Sequence, residues 1–137
     1  MDILVLSLVR QIAGCISDKV MDGELPHLLR KNHTGTIEKA KRYMQDKFME
    51  DISLRELASH CCVSPFHFSR IFKKFTSYSP HQYLLNIRLK HSEMMLRNTG
   101  RSITDICFSS GFNSVDHFAT MFRQKYALSP TRLRSKM

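Results

Sequence analysis
Ser64-Pro65-Phe66-His67-Phe68-Ser69-Arg70-Ile71-Phe72-Lys73-Lys74-Phe75, closed by Ser79-Pro80, decides the fold because it occurs twice. Fifty residues on, Phe118-Ala119-Thr120-Met121-Phe122-Arg123 is followed by Ser129-Pro130 in the same register. A fixed internal period of this size marks a repeated structural unit. Phe68, Ile71, Phe72 and Phe75 recur at the spacing of one helix face. Upstream, Leu54, Leu57, Ala58 and Val63 match Ile103, Ile106, Cys107 and Phe112 at a spacing of 49. The one-residue slip falls where Phe112-Asn113-Ser114 stands against Val63-Ser64, which places a turn there. Each copy is therefore a short helix, a tight turn and a second helix. Such a unit wants a small residue where the helices cross and often Gly in the turn. Ala58 and Cys107 take the first role; Gly111 takes the second, with Cys62 in its place in the first copy.

Working outward, the rest of the chain also reads as helix. Ile37, Ala40, Met44 and Phe48 form one stripe. Ser53-Leu54-Arg55-Glu56 is a capping box, ahead of the apolar face Leu54, Leu57, Ala58 and Cys61. Ser64-Pro65, Ser79-Pro80 and Ser129-Pro130 each start a helix, since Pro tolerates the first helical position. The helix from Pro80 runs to about Asn98, before Gly100, and Met94-Met95-Leu96 supplies its packing. Ser102 and Ser114 cap two more, with Ile103, Ile106 and Cys107, then Phe118, Met121 and Phe122, facing inward. No stretch alternates like a strand. The expected fold is all-α: two helix-turn-helix subdomains joined by a long linker helix, with an extra N-terminal helix. Expected boundaries are 1–36, then 37–137, divided into a first unit at about 37–79, the linker helix at 80–98 and a second unit at about 101–137.

The chain of 137 residues carries 21 Lys and Arg against 12 Asp and Glu, a net charge of +9. Residues 1–36 hold four basic and four acidic side chains, so the whole excess lies in 37–137. A basic domain beside a neutral segment points to a polyanion partner, or to a mildly basic solvated surface. Cys15, Cys61, Cys62 and Cys107 show neither CxxC pairing nor a disulfide framework, which suits reduced thiols in the cytosol. The run Ile3–Val9 is too short for a membrane span, with Arg10 and Gln11 closing it. Only Met1 and Asp2 precede it, so it does not read as an export signal. His60-Cys61-Cys62 with His67 invites a metal site, but adjacent helical cysteines diverge and no second pair completes a tetrahedral set. The seven His residues show no nucleophile–base–carboxylate spacing, so no catalytic residue is assigned and an enzyme is not expected.

On these motifs the sequence resembles the AraC/XylS family of transcription regulators. The matching residues are Ile52-Ser-Leu-Arg-Glu-Leu-Ala58, Phe68-Ser-Arg-Ile-Phe-Lys-Lys74, Ser79-Pro80 with Tyr83 and Arg88-Leu89, and Ser102-Ile103, Gly111-Phe112, Phe118, Phe122 and Ser129-Pro130. The match covers about 37–137. It implies two helix-turn-helix subdomains on a linker helix at 80–98, with the second helix of each copy in a major groove. The family usually has Gly before x-Ser-Pro, where this chain has Ser77 and Ala127; a left-handed cap without Gly costs roughly 1 kcal/mol. It also usually carries Ser-Arg after the second copy's Phe, where Ala119 and Thr120 stand here, which weakens an arginine base contact in that groove.

A helical wheel gives the outward face independently. With Phe68, Ile71, Phe72 and Phe75 inside, Phe66, Ser69, Arg70 and Lys73 face out. Arg70 suits guanine O6 and N7, Ser69 a base or phosphate, and Phe66 a thymine methyl. Lys73 and Lys74 lie further along, where phosphates are the expected target. In the second copy Val115, Asp116, Ala119, Thr120 and Arg123 face out. Asp116 either accepts from cytosine N4 or serves the helix dipole; Val115 or Ala119 can meet a thymine methyl; Arg123 matches Lys73 as a phosphate contact.

Ile3, Leu4, Leu8, Ile12 and Ile16 suggest an amphipathic helix, continued more weakly by Leu25, Leu28 and Leu29. This segment looks like the tail of a sensor or dimerisation domain, or else a helix packed on the chain's own core or on a second copy through residues 1–30. The expected function is a sequence-specific regulator, an activator by family habit, that binds double-stranded DNA and RNA polymerase in the cytoplasm without cofactor, metal or membrane. The rival is a module that binds RNA polymerase or another regulator without reading DNA.

Overall fold
The structure, a computed structural model, describes residues 25–137, with side chains from His33 onward. The stripe expected at Ile3, Leu4, Leu8, Ile12 and Ile16, and the side chains of Leu25, Leu28 and Leu29, lie outside the described residues. Seven helices and no strand occupy the described residues: α1 (Leu25–Lys47), α2 (Leu54–His60), α3 (Pro65–Thr76), α4 (Pro80–Asn98), α5 (Ile103–Ser109), α6 (Val115–Tyr126) and α7 (Pro130–Ser135). The expectation of an all-helical fold holds among the described residues. Helix α1 runs unbroken through residue 36.

Serine starts most of these helices. Ser53, Ser64, Ser102, Ser114 and Ser129 are each extended, and each hydroxyl accepts from the backbone N–H three residues on. That satisfies one of the orphan donors at a helix start, contributing about 1 kcal/mol each. The ends repeat as well. Ser77 and Ala127 close α3 and α6 in the left-handed region, at φ 66° and 61°, donating to the Lys73 and Arg123 carbonyls. Cys62 and Gly111 occupy the same region in the turns, at φ 59° and 95°.

The chain divides into two compact units. The first contains the described part of α1 up to Tyr43, with Ser53–Pro80. Ile37, Ala40, Leu57, Ala58, Cys61, Phe68, Ile71 and Phe72 are buried there. The second contains Met44–Ile52 and His81–Met137. Its core is Leu89, Leu96, Ile106, Cys107, Phe112, Phe118 and Phe122. The 49–50-residue repeat is thus a repeat of cores: Ala58 and Cys107, Phe68 and Phe118, Phe72 and Phe122 are all buried in matching places.

Three residues depart from the stripes drawn on sequence. Leu54 is 40% exposed; it opens α2 directly after its cap. Phe75 is 41% exposed; it lies in the last turn of α3, and its ring meets that of His33 edge-on, 5.9 Å away. Phe48 lies beyond the end of α1, half-buried, with its ring stacked 4.0 Å from His91.

Arg88 explains why the 48–51 segment belongs to the second unit. This side chain of α4 is buried, and its Nε and Nη2 donate to the carbonyls of Phe48 and Glu50 at 2.8 and 2.9 Å. Burial lowers its pKa, and Asp51 works against that fall. Gly111 lies against the same point. A Cβ there would come within 2.5 Å of the Phe48 carbonyl oxygen and 2.8 Å of Arg88 Nε. The turn before α6 therefore needs glycine for two reasons, its φ and its neighbours.

Candidate nucleic-acid interface
In the first unit, α3 is fixed from behind by Phe68, Ile71 and Phe72, and its other face is open. Phe66, Arg70, Lys73 and Lys74 are exposed and Ser69 is half-buried. Phe66 is 72% exposed, the most open of the large apolar side chains described. The Arg70 guanidinium carbon lies 5.6 Å from the centre of its ring, one helical turn away. A hollow of about 530 Å³ on this surface is lined by His67, Arg70, Ile71, Lys73 and Lys74. Basic side chains thus concentrate on this face. His33 of α1 lies beside His67, their rings 6.0 Å apart. Burial lowers the His33 pKa, and the positive ends of His67 and Lys74 lower it further.

In the second unit, α6 is held by Phe118 and Phe122. Asp116, Thr120 and Arg123 are exposed, and Ala119 is half-buried. Val115 is also half-buried, packed against the core, so only part of its surface is open. The Thr120 hydroxyl donates to the Asp116 carbonyl at 2.9 Å, so its hydrogen is engaged within the helix. The base of α6 is tied to α4. Tyr126 hydrogen-bonds Glu93, which pairs with Arg97 at 3.0 Å, and Lys125 donates to the Asn86 carbonyl at 3.4 Å. Burial first, then the Glu93 carboxylate, pushes the Tyr126 pKa up, so the phenol remains a donor.

Every residue singled out on sequence lies on α3 or α6. On sequence His67 figures only in the metal set that was set aside and Arg88 only in the family motif, and the Glu93–Tyr126 tie has no role. For Arg88 a signal existed: a lone charge between Ile87 and Leu89, in a stretch otherwise suited to packing. The thiols that invited a metal site serve packing: Cys61 is buried, donates weakly to the Thr36 carbonyl at 3.6 Å, and has its pKa pushed up by burial to about 11. Among the described residues no three His, Cys, Asp or Glu side chains come together to hold a metal ion. Among the same residues no helix is long and apolar enough to cross a membrane.

The model of a helix-turn-helix domain matches residues 57–136. The transcriptional regulator ArgR of Pseudomonas aeruginosa is 30% identical over 92% of this chain and 41% of its own length. The chain belongs to the AraC/XylS family. The transcriptional activator RhaS of Klebsiella pneumoniae is 30% identical over 86% of this chain and 45% of its own length. Among solved structures, an AraC-type regulator from Chromobacterium violaceum superposes with a TM-score of 0.71 at 27% identity, covering 75% of this chain and 92% of that one. The C-terminal domain of AraT, a response regulator from Geobacillus stearothermophilus, gives 0.71 at 27% identity, over 74% and 85%. This AraC/XylS chain spans less than half the length of the curated relatives ArgR and RhaS.

Proposed function
We propose that this chain is the DNA-reading part of an AraC/XylS transcription regulator, of the activating kind. Helices α3 and α6 enter successive major grooves on one face of the duplex, about 34 Å apart if the duplex stays straight. Arg70 reads guanine, Phe66 a thymine methyl, and Ser69 a base or phosphate. In the second groove Ala119 meets a thymine methyl, with the open edge of Val115 beside it, while Asp116 accepts from cytosine and Thr120 lies at the margin. Lys73, Lys74 and Arg123 hold phosphates. The observation that carries this reading is the doubled helix-turn-helix, in which each second helix is clamped by two buried Phe and turns its polar face outward. Residues 37–137 form the reading domain in this proposal. Residues 1–36 end a sensor or dimerisation domain, and pairing through 1–30 and contact with RNA polymerase follow from activation.

The test is duplex binding over a salt series. Three phosphate contacts alone imply a slope of log affinity on log salt of about −2.7. Footprinting should show protection in two adjacent major grooves over an asymmetric site, since α3 and α6 differ in their outward residues. Salt-independent binding to protein partners without duplex binding would favour the interaction module instead.

A further inference from the structure
We infer that Phe66 is a positioning residue for Arg70, and that the two side chains read a thymine–guanine step as one unit. The inference rests on the proposed DNA reading and adds a division of labour within the first groove. The two residues are four apart on α3, with the guanidinium 5.6 Å from the ring centre and both side chains exposed. A ring left 72% exposed contributes little to the core, which leaves its face free for Arg70 and for a duplex. An arginine side chain has many rotamers, and bidentate donation to guanine needs its planar fork held in one of them. The ring face attracts the guanidinium and limits its sweep before any duplex arrives. Neighbouring base pairs lie about 3.4 Å apart, so groups 5.6 Å apart reach pairs no more than two steps from one another, the adjacent pair included. With Arg70 on guanine, Phe66 is left against the neighbouring pair, where a thymine methyl is the apolar feature in the major groove.

The second copy lacks the device. Asp116 and Thr120 stand at the matching positions, and the Thr120 hydroxyl bonds back to the Asp116 carbonyl. The coupled reading of neighbouring pairs is therefore confined to the first groove. It concentrates the chain's strongest sequence preference on one dinucleotide step.

The experiment selects the full chain's site from random duplexes. It then measures binding of wild type, Phe66→Leu, Phe66→Tyr, Arg70→Ala and Phe66→Leu/Arg70→Ala to that site. The duplexes include versions with guanine replaced by adenine and with thymine replaced by uracil, which removes only the methyl. Leu keeps an apolar contact for the methyl and loses the ring face. Phe66→Leu is expected to lower guanine-over-adenine discrimination about two- to five-fold while keeping the thymine-over-uracil preference. Phe66→Tyr is expected to restore both preferences. In the Arg70→Ala background, Phe66→Leu should change guanine discrimination no further. If Phe66→Leu leaves guanine discrimination intact while Arg70→Ala abolishes it, the positioning role is wrong and the reading by Arg70 stands. If Arg70→Ala itself leaves guanine discrimination unchanged, the base-reading assignment on α3 fails, and the coupling with it.

Discussion
Among the described residues four hold the left-handed region, and they divide sharply by what surrounds them. Cys62, Ser77 and Ala127 carry a Cβ at φ 59°, 66° and 61°, each at a cost of about 1 kcal/mol relative to glycine. Replacing any one of them by Gly should stabilise the protein by roughly that amount, read as a shift of the denaturant midpoint with an unchanged slope. An unchanged or lower midpoint for all three would mean that contacts of the side chains outweigh the backbone term. Gly111 is the opposite case. Gly111→Ala adds a Cβ at φ 95° that would lie 2.5 Å from the Phe48 carbonyl oxygen and 2.8 Å from Arg88 Nε, both parts of a buried clamp. A loss of about 3 kcal/mol is expected in the same measurement. The family resemblance already pointed to Ser77 and Ala127, and the repeat to the Cys62–Gly111 correspondence. Neither showed why only the second turn keeps Gly, since that depends on a carbonyl 63 positions away in the chain.

At the scale of elements, legibility followed locality. Helix starts were readable because a Ser cap and its N–H partner are three residues apart, and all five such caps named in the fold are formed. The stripes were readable until a helix ended. Phe75 and Leu54 kept the helical spacing but sit in terminal turns that are only partly covered. What spacing could not give was the Arg88 clamp on Phe48 and Glu50, a contact spanning 40 and 38 residues. Arg88→Met fills most of the same volume but leaves those two part-buried carbonyls without their donor, so a loss of about 2 kcal/mol is expected. If the variant melts like wild type, the clamp is dispensable. The contact between α1 and α3 carries a pH dependence. The His33 pKa is lowered in the fold by burial and by His67 and Lys74, so the unfolded chain takes up its proton first. Stability should therefore be unaffected above about pH 6.5 and fall as the pH drops below it. His33→Gln should flatten the fall in melting temperature between pH 7 and pH 5.5, and an identical fall in both proteins would remove His33 as its source.

For the whole molecule, the repeat makes two copies of one scaffold, and their outward chemistry differs. The first copy sets Arg70, Lys73 and Lys74 around one hollow; the second sets Asp116, Thr120 and Arg123 on its exposed face. A guanidinium can donate twice to guanine, whereas the Thr120 hydroxyl has its hydrogen engaged by Asp116. The first copy should therefore carry most of the sequence discrimination, and Arg123 should act through charge. Arg70→Ala is expected to cost about 1–3 kcal/mol on the selected site and less on random duplex, relaxing preference at one base pair. Arg123→Ala should weaken both duplexes alike and lower the salt slope by roughly one unit. Both side chains are exposed and outside the buried stripes, so melting temperatures should barely move, which separates a lost contact from a lost fold. Binding of both variants to selected and random duplexes across a salt series, with melting curves alongside, decides the matter. Equal losses on the two duplexes for Arg70→Ala would make Arg70 a phosphate contact and move discrimination to α6 or to the shape of the duplex.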